Sequence, residues 1–259
     1  MTNTSTFRTG DRPVAVITGG AGDIGRATAR ALLADDVDCV LVDLVDPERG
    51  ADIARLAAPS SPGASASYAQ VDITDAAALA ALFAALPRVD VAVCNAGIVK
   101  AQPFLEVDAA VWRRQLDVNL TGSFLTAQAA ARRMVADGTP GSIVYVSSWV
   151  ATRPWPEIVG YATSKAGVEQ LMRQTALELS PHGIKANAVS PGIVKAGMAK
   201  VQYDTEPGYA ERAARSSPLG IMQEADDIAQ AVAFLASPRA RTMTGSVLLI
   251  DSGCSLGTL

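Results

Sequence analysis

Short, wholly apolar runs alternate along this chain with longer stretches of mixed polarity. Val14–Ile17 (VAVI) is apolar at every position and reads as a strand buried on both faces. A glycine-rich turn follows at once, and Arg26–Ala34 (RATARALLA) continues in helix formers. The strand signal returns at Cys39–Asp43, Tyr68–Val71, Val89–Cys94, Ser142–Ser147, Ile184–Val189 and Ser246–Ile250. Between these runs, Pro47–Ala58, Asp75–Leu86, Asp226–Ala236 and Gly160–Ser180 read as helices, and Asp108–Asp137 as mostly helical. Asp75 is placed to cap its helix, and Gly138–Gly141 is a stop. Pro59–Ala64 reads as a loop. The alternation predicts an α/β fold, a three-layer doubly wound parallel sheet of about seven strands with helices on both faces. In such a sheet ligands gather at the strand carboxyl ends. From Lys195 to about Pro218 no periodicity is sustained, which predicts a mobile substrate loop at 195–218.

The chain has 259 residues and no linker-like stretch near its middle, so it is divided into a polar tail at 1–12 and a single domain over 13–259. Hydrophobic residues make up 49% and charged residues 19%, which suits a chain with a sizeable core. Net charge is −4 with Lys and Arg scattered, so nucleic acid and membrane are not expected partners. The first twelve residues lack the apolar segment of a secretion signal, and Ala76–Leu86 is too short to span a bilayer. A cytoplasmic location is expected. Cys39, Cys94 and Cys254 lack CxxC spacing and read as buried thiols. His182 is the only histidine. Neither a metal site nor a histidine-based triad is therefore expected, and the chemistry must use other side chains.

Thr18–Gly25 (TGGAGDIG) joins a strand to a helix whose N-terminal N–H groups and dipole suit an anion. In this setting the anion is a dinucleotide pyrophosphate. Asp43 closes the next strand eighteen residues after Gly25, near the offset of an acid that grips the adenosine ribose. It could also serve as an ordinary N-cap for the helix opened by Pro47 and Glu48. The co-occurrence of strand, glycines, helix and acid favours the ribose.

Tyr161 and Lys165 are four residues apart in YATSK and share a helix face, so the ammonium can favour the phenolate. Each unit of such a shift requires about 1.4 kcal/mol. Ser148, at the carboxyl end of the fifth strand, can return its hydroxyl beside the phenol and hydrogen-bond a substrate oxygen that exchanges a proton with Tyr161.

Taken in order, TGGAGDIG, CNAG (94–97), VNLTG (118–122), VSS (146–148), YATSK (161–165) and NAVSPG (187–192) resemble the short-chain dehydrogenase/reductase family, in its main single-domain, Rossmann-type branch. The resemblance runs from Val14 to about Gly253. It implies that Tyr161 is the acid/base, that Lys165 lowers its pKa and binds the nicotinamide ribose, and that Ser148 orients substrate. Asn119 would hold a water linking Lys165 to solvent, or else simply bend its helix. Gly19, Gly22, Asp23 and Ile24 would lie along the cofactor, Asp43 on the adenosine ribose, and Asp72 with Ile73 beside the adenine. Asn95 and Gly97 would line the cleft, and Ile24 with Val194 would touch the nicotinamide half. A carboxylate at Asp43, followed by Leu44 rather than arginine, favours NAD over NADP. The resemblance also implies a homotetramer built on the helices around 116–134 and 161–179.

Two positions depart from the family pattern. Asp23 stands where a glycine is usual, and a carboxylate there would repel a pyrophosphate unless it caps its helix or pairs with Arg26. Ala196 stands where a threonine often binds the carboxamide. The expected walls of the substrate site are 98–103, 149–155 and 195–218. Trp155, Met198 and Tyr203 could form an apolar face there, and Lys100, Arg153 and Lys195 could bind a carboxylate or polar oxygens. The expected reaction is NAD(H)-dependent interconversion of a secondary alcohol and a ketone, with a sugar, polyol or small hydroxy compound favoured. The alternatives are an NADPH-dependent 3-oxoacyl thioester reductase and a non-catalytic dinucleotide-binding regulator or scaffold.

Overall fold

The computed structural model describes residues 12–57, 63–197 and 208–256. The tail at 1–12, apart from Arg12, most of the loop at 59–64, and Met198 and Tyr203 lie outside the described residues.

Seven parallel strands form one sheet in the order β3-β2-β1-β4-β5-β6-β7. These are β1 (Val14–Thr18), β2 (Asp38–Asp43), β3 (Ala66–Gln70), β4 (Val91–Cys94), β5 (Ser142–Val146), β6 (Lys185–Pro191) and β7 (Val247–Ile250). Pairing of β1 with both β2 and β4 puts the topological switch point at β1 and β4, where the chain leaves on opposite faces and opens a crevice at the strand carboxyl ends.

The helices are α1 (Asp23–Ala34), α2 (Pro47–Ala57), α3 (Ala76–Ala85), α4 (Ala109–Leu116), α5 (Gly122–Asp137), α6 (Val159–Leu179), α7 (Tyr209–Arg215) and α8 (Ala225–Ala236). Strand periodicity sorts the core between the two faces. Val14 and Val16 pack with Leu79, Phe83, Met134 and Met172 of α3, α5 and α6. Ala15 and Ile17 pack with Leu32, Ile228 and Val232 of α1 and α8. Asp75 caps α3 as expected, its carboxylate accepting from the N–H groups of Ala77 and Ala78. A left-handed Gly138 ends α5.

α1 opens at Asp23, so Asp23, Ile24 and Gly25 form its first turn. One expectation, of a stretch without a regular element, is corrected. The stretch at 195–218 holds α7. Tyr209 and Ala213 of α7 are buried.

Candidate active site

A cleft of about 840 Å³ runs along the carboxyl ends of β1, β2, β4, β5 and β6. Of the residues expected at the cofactor, Gly19, Gly22, Asp23, Ile24, Asp43 and Asp72 line it. So do Ile73, Asn95, Gly97 and Val194, together with Tyr161, Lys165 and Ser148. Asn119 is fully buried beside the cleft.

The glycine turn is built for close approach. Gly19 has φ +65°, and a Cβ there would sit 2.8 Å from Asn95 Nδ2 and 2.9 Å from Ala96 Cα. A Cβ on Gly25 would lie 2.2 Å from the Gly19 carbonyl oxygen, so α1 can meet the turn only with glycine at that position. Gly22 caps α1 with no side-chain hydrogen bond, and the positive end of the α1 dipole faces the cleft, which Gly22, Asp23, Ile24 and Gly25 line. Asn95 Nδ2 donates to the carbonyls of Thr18 (2.9 Å) and Gly19 (3.2 Å), bolting the end of β4 to the turn after β1.

Asp43 does not cap α2, since the N–H of Arg49 is taken by Asp46 at 2.9 Å. Its carboxylate accepts from Ala21 N (2.9 Å) and Leu44 N (2.7 Å) and faces the cleft. Four lone-pair sites leave it capacity for a ribose hydroxyl. Asp72 accepts from the backbone N–H and hydroxyl of Thr74, which hold its carboxyl below the usual range with help from the Arg114 charge. Ile73 is buried against Gly122. Asp23 pairs with Arg26 and also accepts the N–H of Gly197 at 2.7 Å.

Ser148, Tyr161 and Lys165 come together in the cleft: Ser148 lies close enough to favour the Tyr161 phenolate, and Lys165 Nζ lies 5.6 Å from the Tyr161 ring centroid. Lys165 Nζ also donates to Val146 O at 2.7 Å. The expected direction of the Tyr161 shift is corrected: burial raises the phenol above its ordinary value, and Ser148 opposes this. Loss of hydration disfavours the phenolate more than these neighbours favour it. Burial also pushes Lys165 down to about 8.

Asn119 lies in a π-helical turn, Asp117–Thr121, between α4 and α5. Its Oδ1 accepts from Ile98 N (2.8 Å), and its Nδ2 donates to Ile98 O and Ser164 Oγ, both at 2.9 Å. It thereby fixes the loop after β4 against α6. One residue not anticipated from the sequence braces the site. Glu169, one turn beyond Lys165, is buried and accepts from Ser147 Oγ (3.2 Å) and Ser190 Oγ (3.4 Å). It braces the ends of β5 and β6 against α6. Its position four residues after Lys165 is visible in the sequence, but its serine partners are not. Trp149 meets Trp155 edge to face, with centroids 5.4 Å apart.

Beyond the tyrosine, Ile98, Val150, Ile158, Ile193 and Tyr209 join the two tryptophans in lining the cleft. Trp155 thus lies where it was expected. Lys100, Arg153 and Lys195, expected as anion-binding groups, are not among the described lining residues. Lys100 and Arg153 are exposed, and a long cationic side chain gains hydration by extending outward. All three cysteines are buried free thiols, and no metal-binding cluster occurs among the described residues. Among those residues, no helix is long and apolar enough to cross a membrane.

The family profile described as "Enoyl-(Acyl carrier protein) reductase" matches residues 19–255. A cis-4-hydroxycyclohexanecarboxylate dehydrogenase from Sinomonas cyclohexanicum is 38% identical over 93% of this chain and 95% of its own. An L-rhamnose 1-dehydrogenase (NAD(P)(+)) from Azotobacter vinelandii is 36% identical over 92% of this chain and 94% of its own. The solved structure of levodione reductase is 31% identical and superposes with a TM-score of 0.87, covering 96% of this chain and 100% of that one.

Proposed function

Because the chain belongs to the short-chain dehydrogenase/reductase family and is an oxidoreductase of CH–OH groups, we propose that it interconverts a secondary alcohol and a ketone with NAD(H). The observation that carries this reading is the gathering of Ser148 and Lys165 about one tyrosine in a cleft of about 840 Å³ that is also lined by the glycine turn and Asp43.

The uncapped first turn of α1 and the glycine cradle would hold the pyrophosphate, Asp43 the adenosine ribose, and Asp72 with Ile73 the adenine edge. Gly97, Lys165 and Val194 would hold the nicotinamide half. Bound there, an oxidised nicotinamide supplies a hydride acceptor and a positive charge. Ser148 donates to the substrate oxygen and Tyr161 takes its proton, a transfer that the cofactor charge and the Lys165 ammonium favour by stabilising the phenolate. Asn119 positions the Ile98 loop and, in this reading, orders a water that relays the proton from Lys165 to solvent. A non-catalytic regulator would have no use for this proton path.

The Asp43 carboxylate would repel a 2′-phosphate, and Leu44 offers it no counter-charge, so NAD is the proposed cofactor and the NADPH-dependent thioester reaction is disfavoured. Beside the tryptophans the lining also offers Glu157, Ser148 and Tyr209 as polar partners, which suits a sugar, polyol or small hydroxy compound.

We further assign the chain to a cytoplasmic homotetramer. Exposed apolar residues on α5 (Phe124, Val135) and α6 (Leu177) support helix pairing between subunits. A spectrophotometric screen of secondary alcohols and ketones with NAD(H) and NADP(H) tests the assignment. NAD-linked turnover of alcohols is expected, and a consistent NADP preference refutes the cofactor assignment.

A further inference from the structure

We propose that Asp23 is a positioning residue that clips the segment after β6 onto the glycine turn and so sets the span over which a dinucleotide is held. The proposal rests on the dinucleotide reading above. Asp23 stands in the first turn of α1, where its charge alone would oppose an anion drawn to the helix end. Both its oxygens are engaged: Oδ1 pairs with Arg26, and Oδ2 accepts the backbone N–H of Gly197 at 2.7 Å, across 174 residues of sequence. The same segment is tied on its other side to Gln223. Lys195 N donates to Gln223 O at 2.8 Å, Val194 and Gln223 form a parallel bridge, and Gln223 Nε2 donates to Ile250 O of β7 at 2.6 Å.

Val194, Ala196 and Gly197, all lining the cleft, are therefore strapped between α1 and β7. Ala196 has no polar group on its side chain, so its part of the wall is held through its neighbours' main chain. A backbone N–H donated to a carboxylate is among the stronger hydrogen bonds. The two residues that depart from the family pattern, Asp23 and Ala196, thus meet in one device: the carboxylate at 23 anchors the wall whose side chain at 196 cannot.

The clip and simple charge repulsion predict opposite signs. If Asp23 only repelled the pyrophosphate, deleting it would tighten NAD binding. If it positions the wall, deletion weakens binding. The test titrates wild type, Asp23→Ala and Asp23→Asn with NAD by calorimetry. Amide hydrogen exchange of the peptide spanning 192–197 is followed in the ligand-free proteins.

Asp23→Ala is expected to weaken NAD binding roughly tenfold, the equivalent of about one charge-assisted hydrogen bond. It should raise the KM for NAD more than it lowers kcat and speed exchange at 192–197. Asp23→Asn, which keeps an acceptor oxygen, should lie nearer wild type than Asp23→Ala on both readouts. Should Asp23→Ala not fold, Asp23→Gly makes the same deletion. Unchanged or tightened NAD binding on deletion, or no recovery with asparagine, overturns the clip and leaves the dinucleotide reading standing. A wild-type protein that binds NAD in neither assay overturns both.

Discussion

Lys165 holds its ammonium 5.6 Å from the centre of the Tyr161 ring while donating to the Val146 carbonyl at the end of β5. A buried amine and a half-buried phenol that could form an ion pair after proton transfer are thus set close together, each displaced by loss of hydration toward its neutral form. The ligand-free site is poised, and charge arriving in the cleft completes it.

That displacement makes a prediction for stability. Folding lowers the Lys165 pKa to about 8 from its ordinary 10.5, so between those values the unfolded chain binds a proton that the folded chain has lost. Lys165 therefore contributes increasingly to stability as pH rises from 8 toward 10. The Tyr161 pKa is raised, so above its ordinary value of 10 the unfolded chain loses a proton that the folded one keeps, and the trend reverses. Thermal unfolding from pH 7.5 to 9.5 should show wild type gaining on Lys165→Met as pH increases. Parallel curves would contradict the burial argument.

Asp43 links the ribose end of the cleft to the glycine turn through Ala21 N. Asp43→Ser should raise the Kd for NAD and narrow the preference over NADP by about tenfold or more, because it removes the charge that opposes a 2′-phosphate. Paired titrations with the two cofactors measure this. An unchanged ratio would place cofactor choice elsewhere.

Glu169 braces two strand ends through serine hydroxyls in a buried position. Glu169→Leu should cost about 1–3 kcal/mol of stability, because it leaves those hydroxyls short of an acceptor. Denaturant unfolding checks the loss, and Glu169→Gln should recover part of it.

The tryptophan pair forms the apolar wall beside Ser148. Trp155→Ala should raise the KM for the alcohol substrate several-fold while leaving NAD affinity near wild type. A matching loss of NAD affinity would move Trp155 out of the substrate wall.

Much of this arrangement was legible in the sequence. The central strands β1, β2, β4 and β5 announced themselves as apolar runs because a parallel strand covered on both faces needs no alternation. Glycines marked a turn where backbone meets backbone, and an ordered series of short motifs pointed to Ser148, Tyr161 and Lys165. Contacts between segments far apart in sequence could not be read there. Nothing in the sequence pattern shows that Asp23 reaches Gly197, or that Glu169 receives Ser147 and Ser190. α7 was missed because seven residues make too few turns for a helical period to stand out. The direction of the Tyr161 shift was misjudged because helix spacing reports a neighbouring charge but not the hydration lost around the phenol.

The central claim is that the Tyr161 hydroxyl carries the proton of the reaction. The most direct measurement compares Tyr161→Phe with wild type in NAD binding by calorimetry and in alcohol-dependent formation of reduced nicotinamide. The account predicts near-native NAD affinity with turnover reduced at least a hundredfold, the scale of a lost general acid/base. Turnover within a few-fold of wild type would contradict it.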